Sequence, residues 1–540
     1  MTNPTTAPAG LAGWYPDPGD QNQLRWWDGS AWSEHTHPVD VAASTGSEAS
    51  FAPLGPPPPP LPPPPETAPR RRARWWLIGG AAVVVVVVGV VAAVLLTRGD
   101  RYPSAWDPRV ADLVAFDQKA RGLDFEHPVA VVFVPADEFA DSVQIDQSTL
   151  DEQDRQNVSA SEAQLRAFGL IDGSVDLVGS TNDIKGAGTL AYYSPKDRKI
   201  YVRGTELTPA VKATLVHELV HVLQDQHFGL DKMLKGSPDP EAVRSIVEGD
   251  AERIRRAYLD QLPKSEQDAV QTAEQSYVAD SGLDKMPDAL VAATQAPYTL
   301  GEPAVGVLAA RGGNSDVNQA FLRPPTADVQ ILDPRRLSED APEPVTLPDL
   351  PDGATALMPA STNGALFWDI VLARRVGLHP ALAFADSWKG DSSVAYERDG
   401  RTCTVSAIRA TDATAAGTML SLLQAWLAAG PQPLDEQTYA RAGSADDVVV
   451  LGVCDPGTDG IAPGADNSQQ AIALASARLE LERQALTAGR TMPAARCLAE
   501  GGIASIDTED LSADADQATV RDKIISGIQQ ASPACALQPH

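Results

Sequence analysis

The sequence predicts an α+β ectodomain standing behind a single transmembrane helix and a small Trp-rich N-terminal domain. Three observations point to it. Residues 75–97 form an apolar run of 23 positions without a charge. Trp14, Tyr15, Trp26, Trp27 and Trp32 crowd into the first forty residues. Beyond the run, segments with helical spacing alternate with short strand-like stretches such as AYYSPKDRKIYVRG (191–204) and DDVVVLGVCDPG (446–457). The expected organisation is a mini-domain at 1–40, a Pro-rich linker with a basic flank at 41–74, and the membrane helix at 75–97. A main ectodomain at 98–400 and a Cys-containing accessory region at 401–540 follow.

The mini-domain reads GWYPDPGDQNQLRWWDGSAW, with turn residues Pro16–Pro18 and Asp28–Gly29 bracketing short strands. So small a unit buries little beyond its own aromatic cluster. Residues 51–69, FAPLGPPPPPLPPPPETAP, form a semi-rigid polyproline II spacer. A groove on the mini-domain that docks polyproline or a cytoplasmic partner stays open as an alternative to a purely structural aromatic core.

The run at 75–97 would span about 34 Å as a helix, slightly more than a bilayer core of about 30 Å. Arg70, Arg71, Arg72 and Arg74 flank its start, whereas Arg98 and Arg101 flank its end more thinly. The positive-inside rule places the N-terminus in the cytoplasm and residues 98–540 outside the membrane. All four cysteines, Cys403, Cys454, Cys497 and Cys535, lie on that oxidising side. Pairing sequence neighbours gives Cys403–Cys454 and Cys497–Cys535, one of three connectivities.

The 43 basic and 72 acidic residues leave a net charge of −29, and only five of the former and seven of the latter precede the run. An acidic ectodomain disfavours nucleic acid, whose phosphates need a basic face. Four dispersed cysteines exclude an all-cysteine zinc site, whose ligands would come as close pairs.

The chemistry concentrates in TPAVKATLVHELVHVLQDQHFGL, residues 208–230. Thr208 can cap a helix with Pro209 in its first turn, and Leu215, Leu219, Val222 and Leu223 recur at helical spacing. His217 and His221 stand at i and i+4, so both imidazoles project from one face at the separation two ligands of a tetrahedral Zn²⁺ need. Glu218 is placed to act as general base on a zinc-bound water attacking a peptide carbonyl.

Zinc requires a third protein ligand, and two residues compete for the position. His227 lies ten positions after His217, the metzincin spacing, but Gln224 stands where that pattern breaks the helix with glycine. Glu248 lies 27 residues after His221, on a second helix that Asp239 can cap with Pro240 in its first turn. That separation is usual for the ligand glutamate of thermolysin-like enzymes, the gluzincins. Arg244, Glu248, Glu252 and Arg256 also form an i, i+4 ladder of the kind found on solvated faces. Gly249, costly inside a helix, suggests close approach of another backbone beside the metal helix. Glu252 and Asp250 are candidates to orient a ligand imidazole by hydrogen bonding. Tyr192, Tyr193 and Tyr298 are candidates to stabilise an oxyanion, and His127 and His379 read as structural.

Two resemblances follow from these residues. The GWYPDP…RWWDG…W pattern over Gly13 to about Pro38 resembles a short domain of unknown function found at the N-termini of actinobacterial membrane proteins. HELVHVLQDQHFGL, followed by VEGDA, resembles a bacterial family of zinc metallopeptidases, with further traces in LRAFGLIDGSVDL, PYTLGEPAV and RPPTADVQIL. The second likeness covers about residues 150–340 and more loosely continues to 400. It implies a zincin-like fold, zinc-dependent hydrolysis of a peptide or protein substrate, ligands His217, His221 and Glu248, and Glu218 as base. One departure is Asp333, where the family pattern carries a histidine.

The rival reading is a catalytically silent ectodomain that keeps the scaffold for envelope binding or structure. The retained Glu218 separates the two, since a purely structural metal site needs ligands and no base. For topology, a reporter active only outside the cell should work when fused after residue 540 and be silent when fused before residue 1. The opposite pattern would overturn both the localisation and the argument from the cysteines.

Overall fold

The computed structural model describes three strands between Gly13 and Pro38, together with residues 102–536 except 137, 140–149, 281–282, 284–285, 343–344, 433, 461–463, 465 and 513. The Pro-rich linker, the arginine flank and the apolar run at 75–97 lie outside the described residues. Among the described residues no helix is long and apolar enough to cross a membrane. The chain divides into two units, Met1–Ala73 and Arg74–His540.

In the first unit, β1 (Gly13–Asp17), β2 (Asp20–Trp27) and β3 (Trp32–Pro38) pair antiparallel in that order. Of the turn residues read from the sequence, Pro16 and Asp17 belong to β1, while Pro18, Asp28 and Gly29 lie outside the described residues; Trp14 pairs with Trp26 and Trp27 with Trp32 along the backbone.

The second unit is α+β. It opens with α1 (Ala111–Arg121), β4 (Ala130–Val134), α2 (Glu152–Ala167) and α3 (Leu177–Gly188). The hairpin read from AYYSPKDRKIYVRG forms as β5 (Ala191–Ser194) and β6 (Lys199–Arg203), with Arg198 left-handed in the turn. The small sheet has the order β4-β6-β5, with β4 parallel to β6 and β5 antiparallel at the edge. Ile200 and Val202 of this sheet share a buried cluster with Leu113 and Val114 of α1.

Next comes α4 (Pro209–Phe228), capped by the Thr208 side chain on the Val211 amide, with Pro209 at its start and left-handed Gly229 at its end. The helix runs unbroken through Gln224 and His227. It is buried nearly all round, since Ala213, Val216 and Val220 are fully buried along with Leu215, Leu219, Val222 and Leu223. A one-faced apolar stripe was the expectation. The β5 edge, α1 and the next long helix enclose the other faces.

That helix is α5 (Pro240–Leu259), capped by Asp239 on the Ala242 amide. Then follow α6 (Lys264–Asp280), α7 (Asp288–Thr299) and α8 (Gly301–Leu322), the last broken at Gly312–Gly313. Gly249 does mark a close backbone approach, but the partner is α8 and not the histidine helix. A Cβ at Gly249 would overlap the Gly301 carbonyl and lie 2.8 Å from the Glu302 amide nitrogen. A Cβ at Gly301 would in turn overlap the Ser245 carbonyl.

The remaining chain adds β7 (Thr355–Ala356), α9 (Ala365–Val376), α10 (Leu378–Asp386), β8 (Trp388–Arg398) and β9 (Arg401–Ala410). It continues with α11 (Ala413–Ala428), β10 (Tyr439–Ala442), β11 (Val448–Cys454), α12 (Ser468–Thr487), α13 (Met492–Ile503) and α14 (Gln517–Cys535). An antiparallel sheet of order β10-β11-β9-β8-β7 forms here. The boundary expected at 400/401 falls in the turn of the β8–β9 hairpin, where Gly400 is left-handed. The largest core draws on both sides of that turn, from Leu165 to Ile506. Disulfides join Cys403 to Cys454 and Cys497 to Cys535, pairing sequence neighbours as expected.

The α5–α8 contact yields a stability prediction. Gly249→Ala forces a methyl into main chain, which cannot swing aside, and should cost about 1–3 kcal/mol, the usual range for overpacking. Gly236→Ala, where a Cβ meets nothing within 4 Å, should be neutral or slightly stabilising. Denaturant midpoints of the two variants check this.

Candidate metal centre

His217 and His221 stand one turn apart on α4, and α5 brings Glu248 against them. His217 Nε2 lies 3.0 Å from His221 Nε2 and 3.1 Å from Glu248 Oε2, which lies 3.5 Å from His221 Nε2. Three donor atoms thus form a triangle with edges of 3.0–3.5 Å. A tetrahedral zinc with bonds of about 2.0–2.1 Å has ligand–ligand edges of about 3.3–3.4 Å. Two imidazoles and a carboxylate are also a donor set zinc accepts, so the residues fit the ion.

Glu218 sits beside this triangle. One donor atom each of His217, Glu218 and His221 lies within 4.8 Å of the others. Its Oε2 accepts a hydrogen bond of 2.8 Å from the Tyr193 amide of β5, which fixes the carboxylate against the sheet edge. Burial pushes the Glu218 carboxyl above its usual range, against the pull of both histidines. Burial opposes charge on His217 too, but the neighbouring carboxylates of Glu248 and Glu252 prevail and raise its imidazole to about 10. The same two histidines hold Glu248 well below the usual carboxylate range despite its burial. Without a cation, the cluster therefore keeps a proton that an incoming metal must displace.

Around the triangle lies a layer of hydrogen bonds. Glu252 Oε2 is 3.7 Å from His217 Nδ1, with its other oxygen 2.7 Å from Arg255. Asp250 reaches no imidazole directly. It accepts from Arg121 Nε at 2.6 Å, Arg253 Nη2 at 2.9 Å and Gln224 Nε2 at 3.1 Å, and Gln224 Oε1 lies 2.9 Å from His221 Nδ1. Sequence reasoning weighed Gln224 only as an absent glycine. Its spacing, i+3 from His221 and i+7 from His217, places it on the ligand face of α4 and was the available signal.

The charge ladder on α5 does not face solvent as a whole. Arg244 Nε lies 3.5 Å from Glu248 Oε1, and both side chains are largely buried, whereas Arg256 is exposed. Arg244 Nη2 donates to the Tyr298 hydroxyl at 3.4 Å. Of the three tyrosines singled out, Tyr192 stacks on Tyr201 and the Tyr193 hydroxyl donates to Asp225. Tyr298 alone among them adjoins the Glu248 side of α5, and the residue is 39% exposed.

Other candidates lie apart from the cluster. The His227 ring is turned to the α1–β4 connection, with Nε2 2.8 Å from the Asp124 carbonyl. His127 packs on Tyr102, and His379 Nε2 meets the Ile506 carbonyl. Asp333 caps the short turn Pro334–Ser338 and pairs with Arg335.

Comparison with known proteins adds one likeness. Residues 12–45 are similar to the family described as a protein of unknown function (DUF2510), a match that covers the Trp-rich strands and none of residues 102–536. No curated protein and no solved structure matches the chain.

The third donor can be tested directly. Glu248→Ala should lower zinc content strongly, whereas His227→Ala should leave it near one ion per chain, as read by atomic absorption after dialysis. Zinc retained in the first variant and lost in the second would reverse the assignment.

Proposed function

We propose that the chain is a membrane-anchored zinc metallopeptidase with a zincin-like ectodomain, hydrolysing peptide bonds of a peptide or protein substrate outside the cytoplasm. The convergence of His217 Nε2, His221 Nε2 and Glu248 Oε2, with Glu218 beside them, carries the reading. Zinc held there would supply Lewis acidity, polarising a carbonyl and acidifying a water. The uncharged run at 75–97 and its arginine-rich start support the anchor and the outward placement of residues 98–540.

The chain's own residues divide the work. His217, His221 and Glu248 bind the ion. Glu218 takes the proton of the attacking water and passes it to the leaving amine. Its raised proton affinity suits that exchange, and the Tyr193 amide holds Oε2 so that the carboxylate keeps its aim. An extended substrate can add along β5, the strand at the edge of its sheet beside α4.

Glu218→Gln keeps the side-chain shape and the metal ligands but removes the proton acceptor. Purified full-length chain should hydrolyse a peptide library, lose that activity to a chelator and regain it with zinc. The variant should keep its zinc and lose at least about 10²-fold in rate, the low end for general-base catalysis. Full turnover by zinc-loaded Glu218→Gln would rule out this mechanism.

A further inference from the structure

We propose that Gln224 is the positioning residue of the metal centre, fixing which nitrogen of His221 carries the proton and linking that choice to the buried Asp250–Arg121 pair. The inference rests on reading His217, His221 and Glu248 as a metal site. The orientation of the Gln224 amide decides the matter. One end faces the Val247 carbonyl at 3.0 Å and Asp250 Oδ2 at 3.1 Å. A main-chain carbonyl can only accept, and the Asp250 oxygens already accept from Arg121 and Arg253. That end must therefore be the NH₂ group, with both hydrogens used.

The carbonyl end is then committed to His221 Nδ1, 2.9 Å away. An amide oxygen accepts and cannot donate, so Nδ1 bears hydrogen. A neutral imidazole protonated on Nδ1 carries its lone pair on Nε2. Nε2 is the atom that lies 3.0 Å from His217 Nε2 and 3.5 Å from Glu248 Oε2. The His221 lone pair is thus aimed into the triangle before any cation arrives.

His217 has no comparable hold. Its Nδ1 stands 3.7 Å from Glu252, beyond ordinary hydrogen-bond reach. The stronger control therefore lies on His221, through an amide. The supports are inaccessible to water, since Gln224, Asp250 and Arg121 are all fully buried. They also tie four helices together. Arg121 comes from α1, Gln224 from α4 and Asp250 from α5, while Arg253 bridges Asp250 to Asn314, just past the break in α8.

Metal-free full-length chain carrying ¹⁵N-labelled histidine gives the test. The His221 ring should show hydrogen on Nδ1 and an accepting Nε2, and Gln224→Met, close in volume, should abolish the Nδ1–H signal. Zinc titration against a competing chelator should show the same variant binding about 10–100-fold more weakly, the usual effect of losing an imidazole's outer partner. A second reading from the same spectra guards against simple misfolding. The His227 and His379 rings, which meet the Asp124 and Ile506 carbonyls away from the centre, should keep their signals in Gln224→Met. A bare Nδ1 in the parent chain would overturn the proposal, as would Gln224→Met with unchanged ring signals and zinc affinity. A parent chain with the expected ring signals but no affinity for zinc would instead sink the metallopeptidase reading and leave the His221 assignment standing.

Discussion

The contact between the backbones of α5 and α8 at Gly249 and Gly301 sets the geometry on which the His217–His221–Glu248 triangle depends. Neither position has room for a side-chain carbon, so the helices touch through main chain. Successive residues on a helix are turned by about 100°. With Gly249 committed to α8, Glu248 faces α4 and its two histidines, and Asp250 is buried towards Arg121. Sliding or rotating α5 to admit a larger residue would move the Glu248 carboxylate along with it. The glycine's low helix propensity is thus offset by the approach it permits.

The Arg121–Asp250 pair is the second constraint, and it is of another kind. Both side chains are fully buried and 2.6 Å apart. Such a pair contributes little net stability, because desolvating two charges costs several kcal/mol each. Its effect is selective. A buried carboxylate tolerates only arrangements that keep its donors, and here the donors come from three other places: α1, α4 and Arg253 on α5 itself. The ion pair therefore discriminates against misplacements of α1 and α4 far more than it deepens the folded minimum. Tolerance of His217, His221 and Glu248 for small shifts is correspondingly narrow.

Local signals were legible in the sequence. Thr208 with Pro209 and Asp239 with Pro240 cap the two long helices, the 191–203 hairpin turns where its Pro and Lys residues stand, and sequence-neighbour cysteines pair. His217, His221 and Glu248 come together because one i, i+4 spacing and one second helix suffice to define a triangle. Contacts that depend on several distant segments were not legible. Gly249 announces a close approach but not its partner. Gln224 looks unremarkable until Asp250 and Arg121 surround it from elements 26 and 103 positions away. The same holds near residue 400, since sheet pairing between β8 and β9 and a core running on to Ile506 cannot be seen in composition.

The Cys403–Cys454 bridge has a consequence for how the larger unit ages among proteases. The two cysteines face each other on neighbouring strands β9 and β11, 51 positions apart in sequence. Everything between them, including α11 and the loop to β10, is a covalently closed ring. A single cut inside that ring releases no fragment: both new ends stay tethered to the same sheet, and the chain keeps its mass until a reductant opens the sulfur bridge. Damage there is retained as a hidden nick, readable only as two bands under reducing conditions.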